Sequence, residues 1–207
     1  MQLLVTKCLV CLVRFLTGIR AHWRSCPSLE PQIYFANHTS HLDALVIWTS
    51  LPKAIRKRTR PVAAKDYWNK TCLRRYLANH VFNAILIDRT QPRCARQTID
   101  QIIQTLGDGF SIIIFPEGTR GNGEQIKKFQ TGIYHIVKDR PQFKLMPIYL
   151  DNLSRSLPKG EFLPIPILGS ATFGIPIELQ THESKNEFVQ RAQQSIETLR
   201  DNHEAIT

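Results

Sequence analysis

The sequence predicts a single α/β domain, a central and mostly buried sheet flanked by helices, preceded by an N-terminal amphipathic helix suited to a membrane interface. Three observations carry this expectation. Short apolar runs of strand length alternate with stretches of helical periodicity, the pattern of a layered α/β domain. One run, SIIIFP (111–116), is continuously apolar, as a strand covered on both faces must be. The 207 residues are enough for one substantial core, and no repeat or low-complexity linker divides them.

Taken in order, residues 2–19 (QLLVTKCLVCLVRFLTGI) are strongly apolar but carry Lys7 and Arg14. A helix places these two, with Cys11 between them, on one narrow stripe. Two charges near mid-membrane would each cost about 3 kcal/mol, which argues against a spanning helix. Arg14 also interrupts the run that a cleaved signal needs, and IRAHW is a poor cleavage site. A helix lying in the interface fits the pattern; the alternative is a helix packed on the protein's own core. The expected division is a membrane-interface helix over 1–24 and the main domain over 25–207.

Within that domain, IYFAN (33–37) reads as a strand. HLDALVIWTSL spaces Leu42, Leu45, Val46 and Thr49 as a helix ending before Pro52. PVAAK (61–65) and AILIDR (84–89) read as strands. RQTIDQIIQTL puts Ile99, Ile102, Ile103 and Leu106 on one helical face, and GDG stops it. A short helix (TGIYHIVKD), a strand (KLMPIYL, 144–150) and a β-like stretch punctuated by Pro and Gly (161–179) follow. The closing helix opens with a Ser184/Glu187 capping box and buries Phe188, Ala192, Ile196 and Leu199.

Charge is lopsided. Lys and Arg total 27 against 17 Asp and Glu, a net of +10. Through Arg93 there are 15 basic and 4 acidic residues, and the remainder is nearly balanced at 12 and 13. A basic half predicts an anionic partner: nucleic acid, a phosphorylated ligand or a membrane surface. Five cysteines without a framework argue for free thiols rather than disulfides. Cys8 and Cys11 spell C-x-x-C, but no second pair accompanies them, so they read as buried apolar residues.

Residues 37–43, NHTSHLD, concentrate chemistry. Ser40 to Asp43 fits S-x-x-D, a capping-box-like helix start. That alone does not explain an imidazole at a strand end, where sites in α/β sheets gather. A metal site on His38 and His41 lacks a third ligand. The remaining reading pairs a base with its orienter. If His38 lies before the helix, Asp43 accepts its Nδ1 proton and leaves Nε2 free to take a proton from an alcohol. The cap and the pair are compatible. A second cluster, FPEGTRGNG (115–123), directly follows the buried strand. Its Glu117, Gly118, Thr119 and Arg120 offer a carboxylate, backbone amides, a hydroxyl and a guanidinium to a phosphate or polyol.

With these residues in view, the sequence resembles the glycerolipid acyltransferase family, which includes lysophosphatidic acid acyltransferases. His38 to Asp43 matches the family's H-x-x-x-x-D, NAILIDR (83–89) aligns with G-x-x-F-I-x-R, and FPEGTR (115–120) matches in full. LMPIYL resembles the fourth motif, and Lys65 in AAKDYW the lysine before the second. The matches run in family order from about residue 34 to 150. Asn83 replaces the usual glycine, Leu86 an aromatic, and Gln130 in FQTG a lysine.

The resemblance implies acyl transfer from acyl-CoA or acyl-carrier protein to a lipid hydroxyl, without a cofactor or metal. His38 is the implied general base and Asp43 its orienter. Lys65, Arg89 and Arg120 are the implied phosphate ligands, and Glu117 a contact to a glycerol hydroxyl. Lysophosphatidate is the leading acceptor; glycerol 3-phosphate and other lyso-lipids would use the same base. The expected setting is monotopic association with an anionic membrane at the cytoplasmic face. The rival is a nucleic-acid binder, because residues 53–76 are basic and interleave Tyr67, Trp68 and Tyr76. An apolar N-terminus has no use in such a protein, and no known nucleic-acid motif occurs.

Overall fold

A computed structural model describes residues 2–88, 92–123, 125–151 and 169–204. The chain leaves helix α1 (Gln2–Thr17) for strand β1 (Arg20–Trp23), then enters β2 (Gln32–Ala36) and α2 (Asp43–Ser50). The short helix α3 (Lys53–Lys57) leads to β3 (Thr59–Ala64), and α4 (Lys65–Trp68) to α5 (Cys72–Tyr76). A wide π-type turn, Leu77–Val81, extends α5 toward β4 (Ile85–Ile87). Next come α6 (Pro92–Gly107), β5 (Ser111–Ile114), α7 (Gly132–Val137), β6 (Lys144–Asp151), β7 (Ser170–Phe173) and α8 (Lys185–Glu204).

The strands form one seven-stranded sheet in the order β1-β7-β6-β2-β5-β3-β4. The five from β6 to β4 are mutually parallel, and β7 turns back against β6. Side-chain alternation splits the core into two layers. From β2, Tyr34 and Ala36 face α1 and α2 together with Val10, Val13, Val46 and Ile47. Ile33 and Phe35 face the other way, with Leu106 of α6, Ile133 of α7 and Phe188 of α8. Both faces of β2 and β5 are therefore covered, as the unbroken apolar run of SIIIFP demands. At the start of α8, Ser184 N donates to Glu187 Oε2 (2.9 Å) and Glu187 N to Ser184 Oγ (3.4 Å), the expected capping box.

The N-terminal segment departs from expectation in two ways. The helix stops at Thr17, and residues 20–23, assigned by sequence to the interface segment, are a sheet strand paired parallel with β7. Cys8 and Cys11 are exposed rather than buried. The reason is helical phase: Val10, Val13 and Thr17 occupy the inner face. Cys8, Cys11, Leu4, Leu12 and Phe15 then fall on the outer one. Leu4, Leu12 and Phe15 are 67%, 52% and 83% exposed. So α1 packs on the core with one face and presents an apolar stripe with the other. Lys7 and Arg14 border that stripe, and Arg14 Nη2 donates to Thr49 O at the C-terminal end of α2 (2.8 Å). Among the described residues no helix is long and apolar enough to cross a membrane.

Candidate active site

The topology gathers the motif residues. His38 follows β2, Glu117 to Arg120 follow β5, and Lys65 follows β3; these are neighbouring parallel strands leaving the sheet at the same edge. That edge is where α/β sheets bind ligands. A pocket bordered by Asn37, Thr39, Glu117, Gln125, Leu150 and Asp151 opens there. Arg89, the implied ligand after β4, lies outside the described residues.

The His38 ring contacts Asp43 at 2.8 Å between Nδ1 and Oδ2. Asp43 is wholly buried, and its Oδ2 also accepts from Thr39 N (2.7 Å) and Ser40 N (2.9 Å). An oxygen that collects amide protons is an acceptor, so Nδ1 is the donor, and a neutral ring then carries its lone pair on Nε2. Ser40 Oγ accepts from Leu42 N (3.3 Å), but α2 begins at Asp43 behind Leu42 with no side-chain cap, so the expected capping box at Ser40 does not form and Ser40–Asp43 is a bonded turn before the helix. One carboxylate thus holds both that turn and the imidazole. Phe115 stacks on the His38 ring at 4.2 Å between centroids, which fixes its plane.

Asp43→Asn is expected to lower kcat by less than removal of the imidazole does. It is also expected to cost about 1–3 kcal/mol of stability, because a buried acceptor of three bonds loses its charge. Steady-state rates and urea unfolding on one preparation check both. Unfolding without an independent loss of turnover would leave Asp43 with the turn before α2 alone.

Sequence reading did not anticipate how Glu117 is used. Its carboxylate is buried, with Oε1 accepting from His38 N (2.7 Å) and Oε2 from Lys127 N (3.2 Å). Both oxygens are therefore engaged with the backbone rather than held out to a ligand. Burial outweighs these bonds and pushes the carboxyl above its ordinary range. Gly121 N donates to His38 O (2.7 Å), so both backbone groups of His38 are tied to the loop after β5. Gly118 turns that loop with φ +73°, a conformation glycine adopts without strain. Lys127, absent from the sequence reading, donates through Nζ to Arg120 O (2.6 Å) and Thr119 Oγ1 (3.4 Å). Asn37 holds β2 to β6 by bonding both Leu150 O (2.9 Å) and Leu150 N (2.8 Å). Asn83, standing where the family has glycine, takes φ +46°, the left-handed turn that asparagine tolerates.

The His41 ring stacks on Tyr67 at 4.4 Å. Trp68 packs edge-on against Phe82, and Tyr76 contacts His80, so the aromatics of the basic segment are engaged within the fold. Burial first, then the charges of Arg120, His38 and Arg74, hold the His41 imidazole at about 4 against an ordinary 6.5. The unfolded chain takes up this proton at higher pH than the folded one, so stability falls as pH drops from 6.5 toward 4. His41→Asn is expected to flatten the pH dependence of Tm over that interval; an unchanged slope would place the titration elsewhere.

The C-terminal edge of the sheet thus holds an imidazole bonded to a buried carboxylate, beside the glycine-turned loop that follows β5. A protein-family model described as Acyltransferase matches residues 19–151, and the chain belongs to that acyltransferase family. It is 31% identical over 140 residues to the 1-acyl-sn-glycerol-3-phosphate acyltransferase of Limnanthes alba, covering 65% of this chain and 47% of that protein. It is 28% identical over 145 residues to the alpha enzyme of that name from Homo sapiens, covering 68% and 48%. The chain thus spans about half the length of the curated relatives it matches. The crystal structure of the 1-acyl-sn-glycerophosphate (LPA) acyltransferase PlsC from Thermotoga maritima superimposes with a TM-score of 0.74. That alignment covers 99% of this chain and 81% of that one at 16% identity, and it shows a shared fold.

Proposed function

We propose that the protein transfers a fatty acyl group from acyl-CoA or acyl-carrier protein to the free hydroxyl of a lysophosphatidate-like acceptor, as a step of phospholipid synthesis. The observation that carries this reading is the His38–Asp43 pair at 2.8 Å, set beside the FPEGTR loop. Nε2 takes the hydroxyl proton as the acceptor oxygen attacks the thioester carbonyl. The C–O bond forms, the C–S bond breaks, and the proton leaves on the thiol. No G-x-S-x-G elbow suggests an acyl-enzyme, so the attack is direct. Glu117 positions His38 through its backbone, and Arg120 with Lys65 and Arg89 takes the acceptor phosphate.

We place the reaction at a membrane surface, on the cytoplasmic face. The outer stripe of α1 enters the interface, and the basic residues of 53–76 meet anionic headgroups, at about 1 kcal/mol per charge. Purified protein incubated with a panel of lyso-lipids and both donors, read by mass spectrometry, tests the assignment. Acylated lysophosphatidate is expected; a panel without any acylated product would remove it. Arg120→Ala is expected to raise the acceptor KM by about tenfold or more and to spare the donor KM, since a charge-assisted contact to phosphate is lost. Equal effects on both substrates would move Arg120 away from the acceptor.

A further inference from the structure

Beside His38 lies a group of side chains that none of the family motifs names. Tyr67 of α4 is stacked by His41 and lies under the guanidinium of Arg74, with Cζ 4.3 Å from the ring centroid. Arg74 is held from below: Thr71 Oγ1 caps α5 by accepting from Arg74 N (3.2 Å), and the π-type turn that follows is anchored by buried Ala78 and Val81. Lys65 stands two residues before Tyr67 on α4, and Arg120 is close enough for its charge to be felt at His41. Among the described residues, neither Lys65 nor Arg74 nor Arg120 makes an ion pair with a carboxylate. Arg120 and Arg74 both act on His41, and Lys65 shares the short helix of Tyr67, a concentration of positive charge that favours a multiply charged anion.

We propose that His41, Tyr67 and Arg74 form, with Lys65 and Arg120, a headgroup subsite selective for a phosphate monoester. The subsite rests on the acyl-acceptor reading above and deepens it. A phosphate monoester carries close to two charges and three terminal oxygens, so it needs donors from several directions. Arg74 supplies a planar fork, pre-oriented by its stack on Tyr67, for bidentate contact. His41 supplies one N–H while its ring stays uncharged, adding a donor without adding a cation beside the base. In a lysophosphatidate only a few bonds separate the reacting hydroxyl from the phosphate. His41, three residues after His38 and near enough for its charge to act on the ring, sets the subsite beside the base. A phosphodiester headgroup, with one charge fewer and a bulky substituent, gains less from the same donors.

The test compares lysophosphatidate with lysophosphatidylglycerol, using the full chain and its Arg74→Gln and His41→Ala variants. Arg74→Gln is expected to raise KM for lysophosphatidate by about ten- to a hundredfold with kcat little changed, and to leave the phosphodiester acceptor nearly unaffected. Arg74→Lys should recover part of the loss, because it restores charge but not the fork. A parallel loss on both acceptors, or no loss on either, overturns the subsite. Glycerol 3-phosphate titrated into wild type and followed by the His41 imidazole resonance gives a readout independent of catalysis. A saturable shift that disappears in Arg74→Gln supports the subsite even if no lyso-lipid is acylated, in which case only the proposed reaction falls. Acylation of lysophosphatidate with a His41 signal indifferent to glycerol 3-phosphate keeps the reaction and sinks the subsite.

Discussion

Replacing His38 by alanine is expected to slow acyl transfer by about 10²–10⁴ while leaving the fold intact. The size follows from the chemistry: an aliphatic hydroxyl at neutral pH is a poor nucleophile, and direct attack provides no second group to take its proton. The fold should survive because the ring is not core; the anchoring bonds at this position belong to the backbone, from His38 N to Glu117 and from Gly121 N to His38 O. Single-turnover rates with a saturating donor, alongside an unchanged circular dichroism melt, are the measurements. Near-normal turnover in the alanine variant would take the base away from His38.

The second large effect concerns the outer face of α1. Leu12→Glu combined with Phe15→Glu is expected to release the protein from vesicles containing anionic lipid, lowering partitioning by about a hundredfold or more. Each apolar side chain inserted contributes about 1.5–3 kcal/mol, and a factor of ten corresponds to about 1.4. Activity on long-chain acceptors in vesicles should fall with it, and activity on short soluble acceptors should persist. Deleting residues 1–20 is a poorer experiment, because it strips Val10 and Val13 from the core as well. Substituting only exposed positions keeps folding and docking apart, since such changes cost about 0.5 kcal/mol or less. Retention of the double variant on vesicles in high salt would place the anchor elsewhere.

The legible parts of this fold are those whose cause is local. The buried strands announced themselves as apolar runs, and α8 through its cap and stripe. The His38–Asp43 pair could be read because His38 falls in the turn before α2, whose first residue is Asp43, although the turn is closed differently from the expected cap. What escaped depends on distant partners. The strand RAHW has no apolar run; it is a strand because Ser170–Phe173 lies beside it. Glu117 reads as a ligand-facing carboxylate until the pairing of β2 with β5 brings His38 N, 79 residues away, against it. The outward phase of Cys8 and Cys11 likewise depends on which face of α1 the sheet covers, and composition is silent on that. Arg74 and Tyr67 looked like a diffuse basic stretch until α4 and α5 folded them onto His41.

The bond from Arg14 to Thr49 O connects two places otherwise treated apart. Helix α2 is eight residues long, roughly 12 Å, with the carboxylate that steers the imidazole at its first residue and the carbonyl gripped by α1 near its last. It is a strut between α1 and the His38–Asp43 pair. Under the function proposed above, with α1 at a lipid surface, the strut would fix the height of Nε2 above the acyl chains, and an acceptor would have to raise its hydroxyl by a set amount to react. Headgroup geometry, before any contact with a cation, would then already sort the lipids that can reach Nε2.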